Sequence, residues 1–318
     1  MTTPSTLGGH SPVARNPGND FLARRAKMRD AGRRGEFCMT LPVPTLDHVV
    51  INARDDMDRA ADVYRRLGFT LTERGYHSLG SMNHLAMFGT DYLELIAIPK
   101  SASSGRLDLL TYSAGLNGLV FGSEDSAVTY AALAKANLPF DPPVEFTRPV
   151  KIGGKEYDAR FRTVRMKAGV VPYGRIYYCH HFTRELVWRD EWRHHANGTV
   201  AVARALIVEP DPAAAAKLYA DMFGTDSVRD IPGGKTVIVG NSRFDIVTEP
   251  TLKAEFGASV PEAEGRKAYM AGLSFRTTSL AKAARALHAG KIEGVVQDKN
   301  RVVVPAKQAF NAVLEFVE

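Results

Sequence analysis

"LDHVVINARDDMDRAADVYRRLGF", residues 46–69, holds the pattern that decides the fold. "LDHVVINA" reads as a strand. Its side chains alternate between faces, so His48 shares one face with Leu46 and Val50 while Val49 and Ile51 fill the other. Both faces look apolar, an unusual setting for an imidazole. The remainder reads as a helix with Met57, Ala60, Ala61, Val63, Tyr64 and Leu67 near one face and Gly68 closing it. Three short runs follow, "TLTER" (70–74), "NHLAMFG" (83–89) and "DYLELIAIP" (91–99), each with strand character. The order is therefore βαβββ.

The unit recurs. "ARALIVEPDPAAAAKLYADMFG" (203–224) repeats the strand and helix, with Tyr219 matching Tyr64 and Ala215, Ala216 matching Ala60, Ala61, and "TVIVG" and "RFDIVTEP" follow as strands. A weaker copy runs from "AGLNGLVFGSEDSAVTYAALAKANL" (114–138) to "GRIYYCHHF" (174–182), and another from "AGLSFRTTSLAKAARALHAGKI" (271–292) to "NAVLEFVE" (311–318); the stretch "FTRPVKIGGKEYDARFRTVRMKAGVVPYG" (146–174) reads as a variable loop in which substrate specificity would lie. One such module cannot bury both faces of its small curved sheet, so modules pair into cups. The expected fold is α+β, with four βαβββ modules forming two half-open barrels, 39–182 and 199–318. The join is "TRELVWRDEWRHHANG" (183–198), where charged residues and Asn197-Gly198 separate the halves.

The 318 residues suit two domains, and 45% hydrophobic with 24% charged residues is ordinary for a water-soluble protein. No apolar run approaches the ~20 residues of a membrane helix, and no apolar leader is evident, so the cytoplasm is the expected address. Cys38 and Cys179 alone build neither a disulfide framework nor a cysteine zinc site. Before Met39, seven basic residues against three acidic ones carry +4 of the net +6. That segment is rich in Pro, Gly, Ser and Thr, and its arginines have no interleaved aromatics. Residues 1–38 are expected to be a disordered basic tail rather than a nucleic-acid arm. The expected partner is a small molecule, with neither nucleic acid nor membrane involved, and homodimerisation is compatible. Phosphate loops, a nucleophile elbow and a dinucleotide fingerprint are absent.

The repeat, together with "LDHVVINA", "GSMNHLAMFGTDYLELIAIP" and the closing "VLEFV", resembles the vicinal-oxygen-chelate superfamily and its glyoxalase-like domain group. The resemblance is most specific over residues 45–98. It implies a metal in the cup, held by a histidine on the first strand of a module and a glutamate on the last, roles that fall on His48 and Glu94. The chemistry of Glu94 agrees, because it shares a face with Tyr92 and Ile96, where an unpaired carboxylate is costly to bury. An ion pair with Arg74 or Arg175 would remove that cost equally well.

The second module departs from glyoxalase I, with Gly118 in place of the histidine and "YYCHH" where a glutamate is expected. Alternation from Gly174 puts Tyr178 and His180 on one face, Cys179 and His181 on the other. His180 is the first choice as third ligand, with His181 taking its place if the strand kinks. The alternative pairs both imidazoles with Glu185 or Glu191. Two histidines and one carboxylate suit Fe(II), with Mn(II) or Zn(II) as alternatives, and leave room for a chelating substrate and O2. An extradiol-type Fe(II) dioxygenase is the leading expectation. A glyoxalase-like lyase or isomerase, and a binding or resistance protein, are the alternatives. Tyr178 and His181 are candidates for catalysis, and Asn83, His84 and Trp188 for substrate contact. In the second half Ala203 is aligned with His48, Asp245 with Glu94, and Gly272 begins the fourth module. Glu315 is the only ligand-like residue there, and that half reads as a scaffold.

Overall fold

A computed structural model of the chain describes Met1 and residues 41–318. The expected basic tail, apart from Met1, and Cys38 lie outside the described residues. Module one comprises β1 (Leu46–Asn52), α1 (Met57–Arg66), β2 (Gly75–Tyr76), β3 (Met82–Met87) and β4 (Tyr92–Ala97). Module two comprises β5 (Gly115–Gly122), α2 (Ser126–Lys135), β6 (Val144–Ile152), β7 (Lys155–Arg165) and β8 (Arg175–His181). They form one eight-stranded sheet, β2-β3-β4-β1-β5-β8-β7-β6, with β1 and β5 antiparallel at its centre. The edges meet: Ser78 N–H donates to Thr147 O at 2.9 Å, and Thr147 N–H donates to Ser78 Oγ at 3.1 Å. The sheet thus curls into a nearly closed barrel.

The second half repeats this plan with β9 (Thr199–Val208), α3 (Pro212–Phe223), β10 (Val228–Ile231), β11 (Gly234–Val239) and β12 (Ser242–Val247), then α4 (Glu249–Phe256), β13 (Tyr269–Thr277), α5 (Leu280–Ala289), β14 (Val296–Gln297), β15 (Arg301–Val304) and β16 (Val313–Val317). Its order, β10-β11-β12-β9-β13-β16-β15-β14, matches the first strand for strand. The fold is α+β with two barrels of paired βαβββ modules. Between β8 and β9 the chain makes two short 3-10 turns, Arg184–Leu186 and Asp190–Trp192. Among the described residues no helix is long and apolar enough to cross a membrane.

Alternation sorts the strand residues as the sequence pattern predicts. Val49 and Ile51 join Tyr64, Phe69, Phe275 and Phe316 in a core that runs from under the helices across both halves. Val50, Tyr92, Ile96, Val120 and Cys179 form a separate cluster inside the first barrel. Aspartate caps start two helices: Asp125 accepts from the N–H groups of Ala127 and Val128, and Asp211 from those of Ala213 and Ala214.

Three local expectations are corrected. "TLTER" is not a strand, because the Thr72 hydroxyl accepts the Leu85 N–H at 3.0 Å and replaces ladder pairing, leaving only Gly75–Tyr76 as β2. Most of the stretch 146–174, read as a variable loop, is the β6–β7 hairpin. It reverses at Gly153-Gly154, both at positive φ, which a two-residue turn requires. Helix α4 has no counterpart in the repeat pattern.

Asp91 ties the halves together, its carboxylate accepting the Val202 N–H at 2.9 Å. Burial pushes its carboxyl up to about 7. The folded chain therefore keeps this proton to higher pH than the unfolded chain. Stability falls as pH rises from the ordinary 3.8 through about 7, and the loss is complete above that. Asp91→Asn keeps the acceptor and removes the charge. Thermal melts should show the variant several degrees more stable near pH 8 and close to wild type near pH 5. Equal shifts at both pH values would show that Asp91 is not protonated on folding.

Candidate active site

The site is built on β1, β4 and β8, whose interior faces converge in the first barrel. A cavity of about 230 Å³, the share of roughly eight waters in the liquid, opens there and is lined by His48, Asn83, Glu94 and Tyr177 among others. His48 is 3% and Glu94 5% exposed, so neither owes its position to solvent. His48 Nδ1 lies 2.6 Å from Asp47 Oδ1. An ionised carboxylate only accepts, so Nδ1 carries the proton and the Nε2 lone pair is directed at the cavity. Around Nε2 lie Glu94 Oε2 at 3.7 Å and the Tyr177 hydroxyl at 3.4 Å. The imidazole stacks on Tyr92, ring centroids 4.3 Å apart.

Glu94 makes no ion pair with an arginine among the described residues. Arg74 pairs with Asp58, and Arg175 donates to Asn117 Oδ1 at 2.8 Å. Its Oε1 accepts from Asn83 Nδ2 at 2.7 Å and lies 3.9 Å from His77 Nε2. Burial pushes the Glu94 carboxyl up, but His48, His77 and the Asn83 hydrogen bond outweigh that and hold it below the ordinary carboxylate range. His77 is pulled down to about 4, chiefly by burial, so it is neutral at physiological pH. Burial with Glu94 close by pushes the Tyr177 phenol up, so it stays a proton donor.

Asp47 shows why His48 is so firmly oriented. The β1–β5 register slips between Leu46 and His48, and this bulge turns the Asp47 carboxylate to the His48 side. Its Oδ1 also accepts from His181 Nε2 at 3.0 Å. Burial raises the Asp47 carboxyl, yet His181 and His48 together hold it well below its usual range. Trp188 packs against Tyr92 and His181 with Arg184 over its ring, shielding this arrangement from solvent.

Of the residues singled out from sequence, the structure gathers His48, Glu94 and Asn83 in the cavity. The others stand apart. β8 keeps strict alternation, so His180 faces outward and lies 3.4 Å from the Ser126 hydroxyl at the start of α2, away from His48 and Glu94. His181 points to the interior side but is spent on Asp47, neither Glu185 nor Glu191 being its partner. Tyr178 is buried in the core beneath the helices. His84 faces away from the cavity, its Nδ1 2.8 Å from Thr72 O and its Nε2 accepting from Arg74. Trp188 is a lid on Asp47 rather than a cavity wall.

The parallel registers identify what replaces the expected second pair. Val50 pairs with Glu94, and Val120 pairs with Tyr177. Tyr177 therefore occupies the position of Glu94, and Gly118 that of His48. A Cβ on Gly118 would lie 2.9 Å from Val50 Cβ, so no ligand fits there without movement. In the second barrel Leu206 pairs with Asp245, which puts Arg204, not Ala203, in the place of His48. Arg204 bonds Asp245, Glu255, Ser274 and Glu315. A guanidinium sits where the first barrel presents its cavity-facing imidazole.

A divalent cation suits the donors of the first barrel: an imidazole whose other nitrogen is pinned by a carboxylate, a buried anionic glutamate and a phenol. A second group, Asp47, Cys179 and His181, has ligand atoms within 4.8 Å of one another and could also hold an ion. In it the thiol is pushed well up by burial, and Asp47 and His181 already satisfy each other.

The glyoxalase-like domain family model matches residues 46–223. Among solved structures, a hypothetical protein from Staphylococcus aureus is similar at 12% identity and TM-score 0.59, over 86% of this chain and 99% of that one. A mutant of 4-hydroxymandelate synthase from Streptomyces coelicolor aligns at 12% identity and TM-score 0.53, over 87% of this chain and 93% of its own. A xylose isomerase-like TIM barrel/4-hydroxyphenylpyruvate dioxygenase fusion protein aligns at 14% identity and TM-score 0.50, covering 93% of this chain and 54% of that one. At such identities the likeness is one of fold. No curated protein sequence matches the chain.

Proposed function

The chain belongs to the glyoxalase-like domain family of the vicinal-oxygen-chelate superfamily, and on that premise we propose that it is a metal-dependent enzyme acting on a small substrate with two neighbouring oxygens. The observation that carries this reading is the buried pair His48 Nε2 and Glu94 Oε2, 3.7 Å apart in the cavity, with Asp47 behind the imidazole. His48 and Glu94 would hold the cation, with the Tyr177 oxygen beside them. When bound, the metal supplies Lewis-acid polarisation of the substrate oxygens. Asp47 fixes the His48 tautomer, Asn83 orients Glu94, and the Tyr177 hydroxyl donates a hydrogen bond to an oxygen on which negative charge develops.

Proton transfer of the lyase or isomerase kind is the chemistry we favour. Around His48 Nε2 the oxygens are those of one carboxylate and one phenol. The second histidine expected for an Fe(II) dioxygenase, His180 or His181, is not beside them. One observation favours the dioxygenase as a second reading: His77 Nε2 lies 3.9 Å from Glu94 Oε1, so His48, His77 and Glu94 are the required residue types in one cavity. Assays of 2-oxoaldehyde adducts, 2-oxo acids and catechols under argon and in air separate the two. We expect full turnover under argon with Mn(II) or Zn(II). Turnover that needs O2 and ferrous iron would replace this reading with the dioxygenase and give His77 a ligand's role.

A further inference from the structure

The cavity carries more positive charge than its own acids balance. Arg106 is matched by Asp108, with Nε–Oδ1 and Nη2–Oδ2 at 2.8 and 2.9 Å. Arg148, Arg165 and Arg175 also line the cavity, and among the described residues none of them has a carboxylate within ion-pair distance. Arg148 is 3% exposed and donates only to Asn83 Oδ1, at 3.2 Å. Its Nε is buried without a partner, and so is Arg175 Nη2. Buried guanidinium N–H groups left unpaired are costly, and proteins rarely retain them without use. The chain also makes room for one of them: a Cβ on Gly75 would lie 2.5 Å from Arg148 Cδ. Glu94, a buried acid of the lining, is held by Asn83 through Oε1, and its Oε2 faces His48 Nε2 at 3.7 Å rather than an arginine.

We propose that the substrate of this cavity is a small carboxylate anion, its carboxylate seated on Arg148 and Arg175. The guanidinium fork matches a planar carboxylate, and the free Nε and Nη2 donors are the atoms it would satisfy. Arg165, which donates to Thr163 Oγ1 at 3.2 Å and has no carboxylate within ion-pair distance, adds a third positive charge to the lining and a field that favours anions. This inference rests on the first barrel being the substrate site, but not on the metal.

Malonate, inorganic phosphate and glycerol serve as probes in thermal-shift and calorimetric titrations of the full chain. Malonate should stabilise the wild type in a dose-dependent way and glycerol should not. Arg148→Met and Arg175→Met should each weaken malonate binding about tenfold to a hundredfold. Both variants should melt no lower than wild type without ligand, since each removes an uncompensated buried charge. His48→Ala should keep the malonate response even though it loses the metal, which separates this inference from the metal reading. Absence of any malonate shift in the wild type, or a shift unchanged in both arginine variants, would overturn the proposal. A shift abolished by His48→Ala alone would overturn it too, because the anion would then sit on the metal. A response to phosphate but not malonate would overturn the carboxylate assignment.

Discussion

Arg204→Met is expected to cost about 3–5 kcal/mol of folding stability, the range for removing one partner of a buried ion pair. Arg204 is 9% exposed and holds Asp245, Glu255 and Glu315 around one guanidinium. Burial alone would lower its pKa, but those carboxylates raise it, so the charge is kept. Without it, Asp245 and Glu315, 3% and 6% exposed, keep as cations Arg243 and Arg301 at their outer edges, with the Thr236 and Ser274 hydroxyls as their other donors. Denaturant titration should show the midpoint falling, and the melting temperature should drop by about ten degrees. Adding Asp245→Asn and Glu315→Gln to the variant should recover much of the loss, since the uncompensated charges are then gone as well. A variant as stable as wild type would mean that the second barrel's centre is hydrated rather than held by this cation.

In the first barrel, His48→Ala and Glu94→Ala should each lower kcat/KM by at least about a thousandfold, because Lewis-acid stabilisation is worth several kcal/mol in the transition state. Asp47→Asn should be milder. It keeps a hydrogen-bonding side chain against Nδ1 but loses the charge that fixes the tautomer, and should weaken metal binding about tenfold to a hundredfold. His180→Ala should change little, since its ring packs on Phe182 and α2. Kinetics with metal titration would distinguish these grades. A His180 variant as impaired as the His48 variant would contradict the arrangement described here.

The difference between His48 and His180 shows how much of the site was legible in the sequence. Period-two alternation correctly put His48 and Glu94 on the interior faces of β1 and β4, and it also put His180 with Tyr178 on one face of β8. It could not say which face of β8 looks inward, because both carry aromatic and polar residues. Tyr177 carries no local signal of its role, because only the parallel register with β5 puts it at the position equivalent to Glu94. Asp47 was hidden for a different reason. A regular strand would aim it at the core with Val49, and only the bulge beside it turns its carboxylate toward His48.

Arg204 was missed by a single position. Carrying the helix match of Tyr219 to Tyr64 back along the chain puts Ala203 opposite His48, and a one-residue slip exchanges the two faces of a strand. Pairing of β9 with β12 settles the register, and that pairing is not local in sequence. The arginines of the cavity are not legible in the sequence, because a stretch that reads as a loop does not say which of its side chains face a barrel. "FTRPVKIGGKEYDARFRTVR" does contain its own hairpin signal, the Gly-Gly pair between runs rich in β-branched and aromatic residues. The two-barrel plan itself was legible because the helix faces around Tyr64 and Tyr219 repeat almost residue for residue.

The proposed cation between His48 and Glu94 is open to direct measurement by elemental analysis of the protein purified without added metal. About one equivalent of a divalent transition metal is expected in the wild type and almost none in Glu94→Ala, with both proteins folded by circular dichroism. A wild type that stays metal-free after incubation with Fe(II), Mn(II) and Zn(II), or a Glu94 variant that retains a full equivalent, would contradict it.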